Sequence, residues 1–215
     1  MIKANSKHEF NSALIGMLLG DGYILRTKNS YCMYVRHGKS QFEYVDEIVE
    51  YFSNYIEPRS LYSKVDKKGY PYRVAYYNSK KLKYLYKKIY MQNGKKKKRL
   101  SPTIMHRFNA ISLAFLYMDD GCLSVRKRNG KYTKSLQIFL CTEGFTKQEN
   151  IWLANVIKQK FGVNFRVAKE KKYYRLWCNT VEAHKFLKIV SPIVKEFKSM
   201  HYKLDIKQED NPYLN

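Results

Sequence analysis

The sequence predicts an α+β protein made of two pseudo-symmetric, αββαββα-like units, each an antiparallel sheet with helices, joined through a pair of equivalent helices. Three observations predict it. Two apolar runs of the same length and ending, Leu14-Ile15-Gly16-Met17-Leu18-Leu19-Gly20-Asp21-Gly22 and Leu113-Ala114-Phe115-Leu116-Tyr117-Met118-Asp119-Asp120-Gly121, stand about a hundred residues apart. The same succession of strand-like and helix-like patterns follows each run. The chain has 215 residues, 45% of them hydrophobic, which is enough to bury a core.

In the first half, Leu14–Gly22 reads as a helix closed by Asp21 and Gly22. Alternation over Tyr31–His37 reads as a strand. Phe42, Val45, Ile48, Val49 and Phe52 recur at three-to-four spacing and read as a helix. Tyr72–Tyr77 is a second strand, leading into a helix that carries Leu82, Leu85, Tyr86 and Ile89. The second half repeats this order. Its motif helix is followed by a strand at Leu136–Cys141 and a helix with Ile151, Leu153, Ala154, Ile157 and Phe161. A strand at Tyr173–Cys178 and a closing helix with Ala183, Phe186, Leu187 and Val190 complete it. The basic run Asn93–Arg99 is the natural linker, dividing the chain into repeats 1–98 and 99–215.

Composition narrows the function. Lys and Arg number 41 against 18 Asp and Glu, a formal net charge of +23. Such self-repulsion is relieved when a polyanion is the usual partner, and nucleic acid is the leading one. No apolar stretch reaches the roughly 18 residues of a membrane span, and the start of the chain lacks a signal segment, so no membrane is expected. The four cysteines, Cys32, Cys122, Cys141 and Cys178, form no C-x-x-C pair; they read as thiols of an intracellular, reducing compartment, bacterial, phage or organellar. The histidines are dispersed, so no histidine–metal constellation stands out.

The chemistry lies in the paired motif. Gly16 and Gly20 form a small face that lets another backbone approach, while Phe115 makes the second copy bulkier. Gly22 and Gly121 are placed as left-handed residues ending each helix. Asp21 and Asp120 fall at helix C-termini, where the dipole already disfavours negative charge. Side by side, the two helices bring these carboxylates and the last carbonyls, Gly20 among them, into one small volume. Like charges so close need a cation, and oxygen-only ligands suit Mg²⁺ or Mn²⁺. Asp119 either helps to hold the metal or turns away to hold backbone.

In these runs the chain resembles the LAGLIDADG homing endonucleases of the monomeric, two-motif kind. The family word maps onto Leu14–Gly22 and Leu113–Gly121 without gaps. It departs at the sixth position (Leu19 and Met118) and at the third (Phe115), and its catalytic eighth position is aspartate in both copies. Tyr31–Val35 with the helix after it, and Met200–Leu204, are similar to intron-encoded members. The resemblance implies a pseudo-two-fold monomer whose two sheets form a saddle over double-stranded DNA. It implies divalent metal at Asp21 and Asp120, and hydrolysis of both strands of a long site with short 3′ overhangs. One basic residue per half assists: Lys203 in the second, and Arg99 or Lys98 in the first.

If Tyr31, Met33 and Val35 face the helices, then Cys32, Tyr34 and Arg36 face DNA. Arg73, Gln137 and Arg175 are further candidates for contacting bases or phosphates. Arg26, Lys28, Arg126, Lys127 and Arg128 are candidates for phosphate contacts. Two alternatives keep the fold: an RNA maturase with intron RNA as partner, and a non-catalytic DNA-binding regulator.

Overall fold

The computed structural model describes residues 2–90, 97–128 and 131–205, with backbone alone for 126–128 and 131–134. The motif helices are α1 (Lys7–Leu19) and α5 (Ala110–Asp120). Ser6 and Asn109 start them, each side chain accepting a backbone N–H of the first turn. Both helices are apolar around almost their whole circumference, and both are buried: Ala13–Leu19 and Leu113–Met118 are each at most 2% exposed apart from glycine. Burying each of these large side chains is worth about 1.5–3 kcal/mol.

After α1 come β1 (Tyr23–Arg26), β2 (Tyr31–Gly38), α2 (Phe42–Phe52), β3 (Ser60–Val65), β4 (Pro71–Asn78) and α3 (Lys83–Ile89). A short helix, α4 (Pro102–Arg107), precedes α5. Then follow β5 (Gly121–Arg128), β6 (Lys131–Leu140), α6 (Lys147–Phe161), β7 (Arg166–Glu170), β8 (Tyr173–Cys178) and α7 (Thr180–Val194). The strands form two antiparallel sheets, in the orders β1-β2-β4-β3 and β5-β6-β8-β7, so the second copies the first. The α+β architecture of two pseudo-symmetric units is therefore the one the sequence predicts.

The patterns of the sequence find the inner strands β2, β4, β6 and β8 but not their outer partners. For β3 and β7 the reason is burial. Every residue of β3 and β7 is exposed or half-buried, so neither strand has a core face to set a period-two signal. The basic run is also more structured than a linker: Lys98 forms an isolated bridge with Tyr90, and the Arg99 N–H donates to the Ile89 carbonyl at 2.7 Å. Its Asn93–Lys96 portion lies outside the described residues.

The halves share one core. Phe115 and Phe197, from the second half, pack against Tyr51 and Phe52 of α2, with Phe115 and Phe197 ring centres 5.2 Å apart. The turn Lys198–Lys203 crosses to the same helix, where the Ser199 hydroxyl donates to Glu47 at 2.5 Å and Gln41 Nε2 to the Tyr202 hydroxyl at 2.9 Å. Gly22 and Gly121 do not end their helices in the left-handed region: among the described residues the positive-φ glycines are Gly69 and Gly162. Space demands them instead. A Cβ on Gly121 would lie 1.9 Å from the Tyr117 ring, and one on Gly22 would lie 2.9 Å from Met17. No helix among the described residues is long and apolar enough to cross a membrane.

Candidate functional site

The two motif helices run in the same direction with their backbones in contact. At their N-terminal end the Ser112 hydroxyl donates to the Ser12 carbonyl and Asn109 Nδ2 to the Ser12 hydroxyl, both at 2.8 Å. Further along, a Cβ on Gly16 would lie 2.2 Å from the Ser112 carbonyl oxygen. Glycine is what allows so close an approach. At the C-terminal end the Asp21 N–H donates to Asp119 Oδ2 at 3.0 Å. Side-by-side packing thus delivers Asp21, Asp119 and Asp120 to one place.

These three acids differ in their surroundings. Asp21 is exposed, whereas Asp119 is 8% exposed and its Oδ1 accepts the Tyr44 hydroxyl at 3.1 Å. Burial, and then the Asp21 charge, hold the Asp119 carboxyl well above the carboxylate range. Asp120 is half-buried, and burial followed by repulsion from Asp21 raises it to about 7. Both shifts describe acids that would ionise more readily beside a cation.

Two lysines meet the acids, one from each half. Lys98 Nζ donates to the Gly20 carbonyl, and Lys203 Nζ donates to the Gly121 carbonyl at 2.7 Å. The Tyr117 hydroxyl positions the second of these by donating to the Lys203 carbonyl at 2.5 Å. Burial lowers both ammonium groups, and the aspartates pull them back up. Of the two first-half candidates, Lys98 enters the site and Arg99 lies exposed outside it.

One neighbour has no signal in the sequence. His37 is 4% exposed on β2, with Nδ1 3.7 Å from Asp21 Oδ2 and 3.2 Å from Gln41 Oε1. Burial lowers its pKa, against the Asp21 charge. Among the described residues, donor atoms of Asp21, His37 and Asp119 all lie within 4.8 Å of one another. No histidine–metal constellation stands out in the sequence because the fold brings together positions that the sequence keeps sixteen or more residues apart.

The outer faces of the sheets carry the remaining candidates. In the first sheet, register places Tyr23, Cys32, Tyr34, Arg36, Tyr72 and Tyr76 on the face away from the helices. Tyr34 stacks on Tyr23 at 4.8 Å, and the Arg36 guanidinium lies 3.7 Å over the Tyr72 ring. Cys32 shares this face but is buried, its thiol 2.8 Å from the Tyr76 hydroxyl. Arg73 does not share it. It stands opposite His37 on the helix side and pairs with Asp46 of α2 at 2.7 Å. This corrects its assignment to the outer face.

Arg26, opposite Tyr31, also has helix-side parity, though it is exposed at the strand end, and Lys28 is exposed in the turn beyond. In the second sheet Gln137 and Arg175 lie on the outer face, as expected. Arg175 sits 4.7 Å over Phe139 and pairs with Glu170 at 2.8 Å. The side chains of Arg126, Lys127 and Arg128 lie outside the described residues. All four cysteines are free; Cys32 and Cys178 are buried, whereas Cys122 and Cys141 are exposed.

Comparison with known proteins agrees with this geometry. The chain is 30% identical over 204 residues to the probable intron-encoded endonuclease 1 of Wickerhamomyces canadensis, covering 89% of this chain and 81% of that one. It is 27% identical over 199 residues to the RecA protein of Mycolicibacterium flavescens, covering 89% of this chain but 45% of that protein. Among solved structures, the homing endonuclease I-WcaI bound to its DNA recognition sequence superposes with a TM-score of 0.76 at 27% identity, covering 94% of this chain and 88% of that one. Residues 11–186, which take in both repeated motifs and both sheets, match the model of the LAGLIDADG DNA endonuclease family, and the chain belongs to that family.

Proposed function

We propose that this protein is a site-specific endonuclease. It hydrolyses phosphodiester bonds on both strands of a long, pseudo-palindromic double-stranded DNA site, using Mg²⁺ or Mn²⁺ and leaving short 3′ overhangs. The observation that carries the reading is the meeting of three acids with one ammonium from each half at the end of two parallel helices. Lys98 rests on the Gly20 carbonyl and Lys203 on the Gly121 carbonyl, and Asp120 feels both charges, that of Lys98 first. The likeness to I-WcaI, solved with its DNA, supports the choice of substrate.

The residues present fit a divalent cation. Buried acids that repel one another, with backbone carbonyls beside them, form a hard-oxygen donor set. Asp21, Asp120 and the Gly20 carbonyl would hold it, with Asp119 fixing the Asp21 backbone. A bound dication would supply Lewis acidity and make water nucleophilic near neutral pH. Lys98 and Lys203 place two ammonium groups among the acids, where they stabilise negative charge growing on the phosphate. In the metal-free protein the same ammonium groups offset the acids. The outer faces, with Arg36 and Tyr34 on one sheet and Gln137 and Arg175 on the other, would lie along the duplex. Repeats 1–98 and 99–215 would each take one half-site, so a monomer suffices.

The test is incubation of the purified protein with a library of randomised duplexes and Mg²⁺. Double-strand breaks clustered on one long sequence, absent with Asp21→Asn, are the expected result. Tight, salt-sensitive binding without any break would overturn the reading in favour of a maturase acting on intron RNA or a DNA-binding regulator.

A further inference from the structure

The two halves of the site are not chemically equal, and the difference is His37. Next to Asp21, continuing the β1–β2 register, stand Arg36 and then His37. The matching places beside Asp120 are Cys141, whose N–H donates to the Asp120 carbonyl at 2.8 Å, and Thr142. Thr142 is buried and satisfied, its hydroxyl bonded to Asn150 at 2.5 Å. His37 is buried and not satisfied, since its Nε2 has no hydrogen-bond partner. A buried polar atom without a partner marks a ring whose hydrogen bonding is incomplete in the metal-free protein.

The hydrogen bonds around the ring show what is free. Gln41 Nε2 donates to the Tyr202 hydroxyl, so its Oε1 faces His37 and can only accept. Nδ1 is then the protonated nitrogen, and Nε2 keeps its lone pair. The nitrogen nearest Asp21 is Nδ1, at 3.7 Å, so an ion bound there takes the Nδ1 lone pair, the ring proton moves to Nε2, and the contact with Gln41 gives way to the ion. The donor atoms of His37, Asp21 and Asp119 already lie within 4.8 Å of one another. Two ligands about 2.1 Å from one ion can stand up to about 4.2 Å apart, so a small inward movement closes the set. A cavity of about 370 Å³ lined by Asp21, Tyr23, Arg36 and His37 gives the ion and its waters a way in.

We propose that the Asp21 half of the site is a mixed nitrogen–oxygen metal site with His37 as a ligand, whereas the Asp120 half has no imidazole. The inference rests on the endonuclease reading above. It predicts unequal metal preference: imidazole favours borderline ions such as Co²⁺ or Zn²⁺ over Mg²⁺, and Mn²⁺, which also accepts nitrogen, serves as the spectroscopic probe. The first half should therefore take a transition-metal dication before the second does.

The experiment uses the full chain and Mn²⁺ alone, without DNA. Pulsed paramagnetic resonance of the bound Mn²⁺ should show a nitrogen coupling that changes on ¹⁵N-histidine labelling and disappears in His37→Asn. By calorimetry, His37→Asn should weaken Mn²⁺ binding about tenfold and leave Mg²⁺ binding within about twofold. Bound Mn²⁺ with no nitrogen coupling in the wild type, or a coupling that survives in His37→Asn, overturns the inference while leaving an oxygen-liganded endonuclease intact. Mn²⁺ binding that is also indifferent to Asp21→Asn and Asp120→Asn overturns both. The labelling arm needs only the wild-type protein, and the absence of a histidine coupling there overturns the inference even where the variant folds poorly.

Discussion

The carboxylate of Asp119 accepts the Asp21 backbone N–H at 3.0 Å, tying one motif helix to the other where the acids meet. The equivalent residue of the first motif is Gly20, and a Cβ there would fall 2.6 Å from both Cβ and Oδ2 of Asp119. The site has room for one side chain at this level, so the repeats differ there. Asp119→Ala should strand the Asp21 N–H and the Tyr44 hydroxyl, at a cost of about 1–3 kcal/mol. Gly20→Ala should push the helices apart and lower the melting temperature further. Thermal unfolding checks both, and a wild-type melting temperature in Gly20→Ala would contradict the packing.

Asp21 and Asp120 should be separable from DNA binding. Asp21→Asn and Asp120→Asn keep the shape of the side chain while removing its charge. Each should abolish cleavage and leave affinity for the duplex in Ca²⁺ nearly unchanged, by gel-shift titration. Either variant cutting at the normal rate would remove that residue from the chemistry.

The lysines should tune the reaction without being indispensable. Each contributes one charge to the cluster of acids, so Lys203→Ala or Lys98→Ala should slow cleavage by about a hundredfold rather than end it. Arg99→Ala, outside the site, should have no such effect. Full activity in Lys203→Ala under single-turnover conditions would dismiss its role.

The contribution of Asp120 to the stability of the metal-free protein should fall as pH rises, against an opposite contribution from His37, whose pKa burial lowers. Asp120 titrates at about 7 in the folded chain, against 3.8 as its ordinary value, because of burial and then the Asp21 charge. Between those values the folded state keeps a proton that the unfolded state has released. Stability is then highest below about pH 4 with respect to this group and is lost through about pH 7, by roughly 2–4 kcal/mol. Asp119, raised for the same reason, acts in the same direction. Urea titrations at pH 5 and 8 should show the decline in the wild type and a smaller one in Asp120→Asn. Equal declines would place the effect elsewhere.

How much of this can be read in advance depends on which residues carry a periodic or repeated signal. The motif aspartates do, because a carboxylate at a helix C-terminus is unfavourable and its recurrence in register demands a reason. Lys98 and Lys203 are reached through the family resemblance, and the choice between Lys98 and Arg99 needs the bridge to Tyr90. His37 carries no signal, since a histidine at an inward position of an alternating strand looks like any core residue. Arg73 is misplaced for a different reason: Val74 and Ala75 are both buried, so β4 does not announce which of its faces meets the helices, and a shift of one residue reverses every side chain.

That reversal makes a contrast between two arginines the sharpest check on how DNA meets the first sheet. Arg36 lies on the outer face, exposed, over Tyr72 and 3.8 Å from Asp66. Arg73 lies on the other face with its guanidinium on Asp46 and Ser63. Arg36→Ala should weaken binding of the target duplex by about 1–3 kcal/mol if it reads a base, or lower the salt slope by about 1 if it meets a phosphate. Arg73→Ala should leave affinity and salt slope alone and reduce stability by about 1 kcal/mol or less, because it removes a partly solvated ion pair. Binding titrations at several salt concentrations separate these outcomes. A larger affinity loss for Arg73→Ala than for Arg36→Ala would put DNA on the helix side of the sheet and overturn the assignment of the outer face.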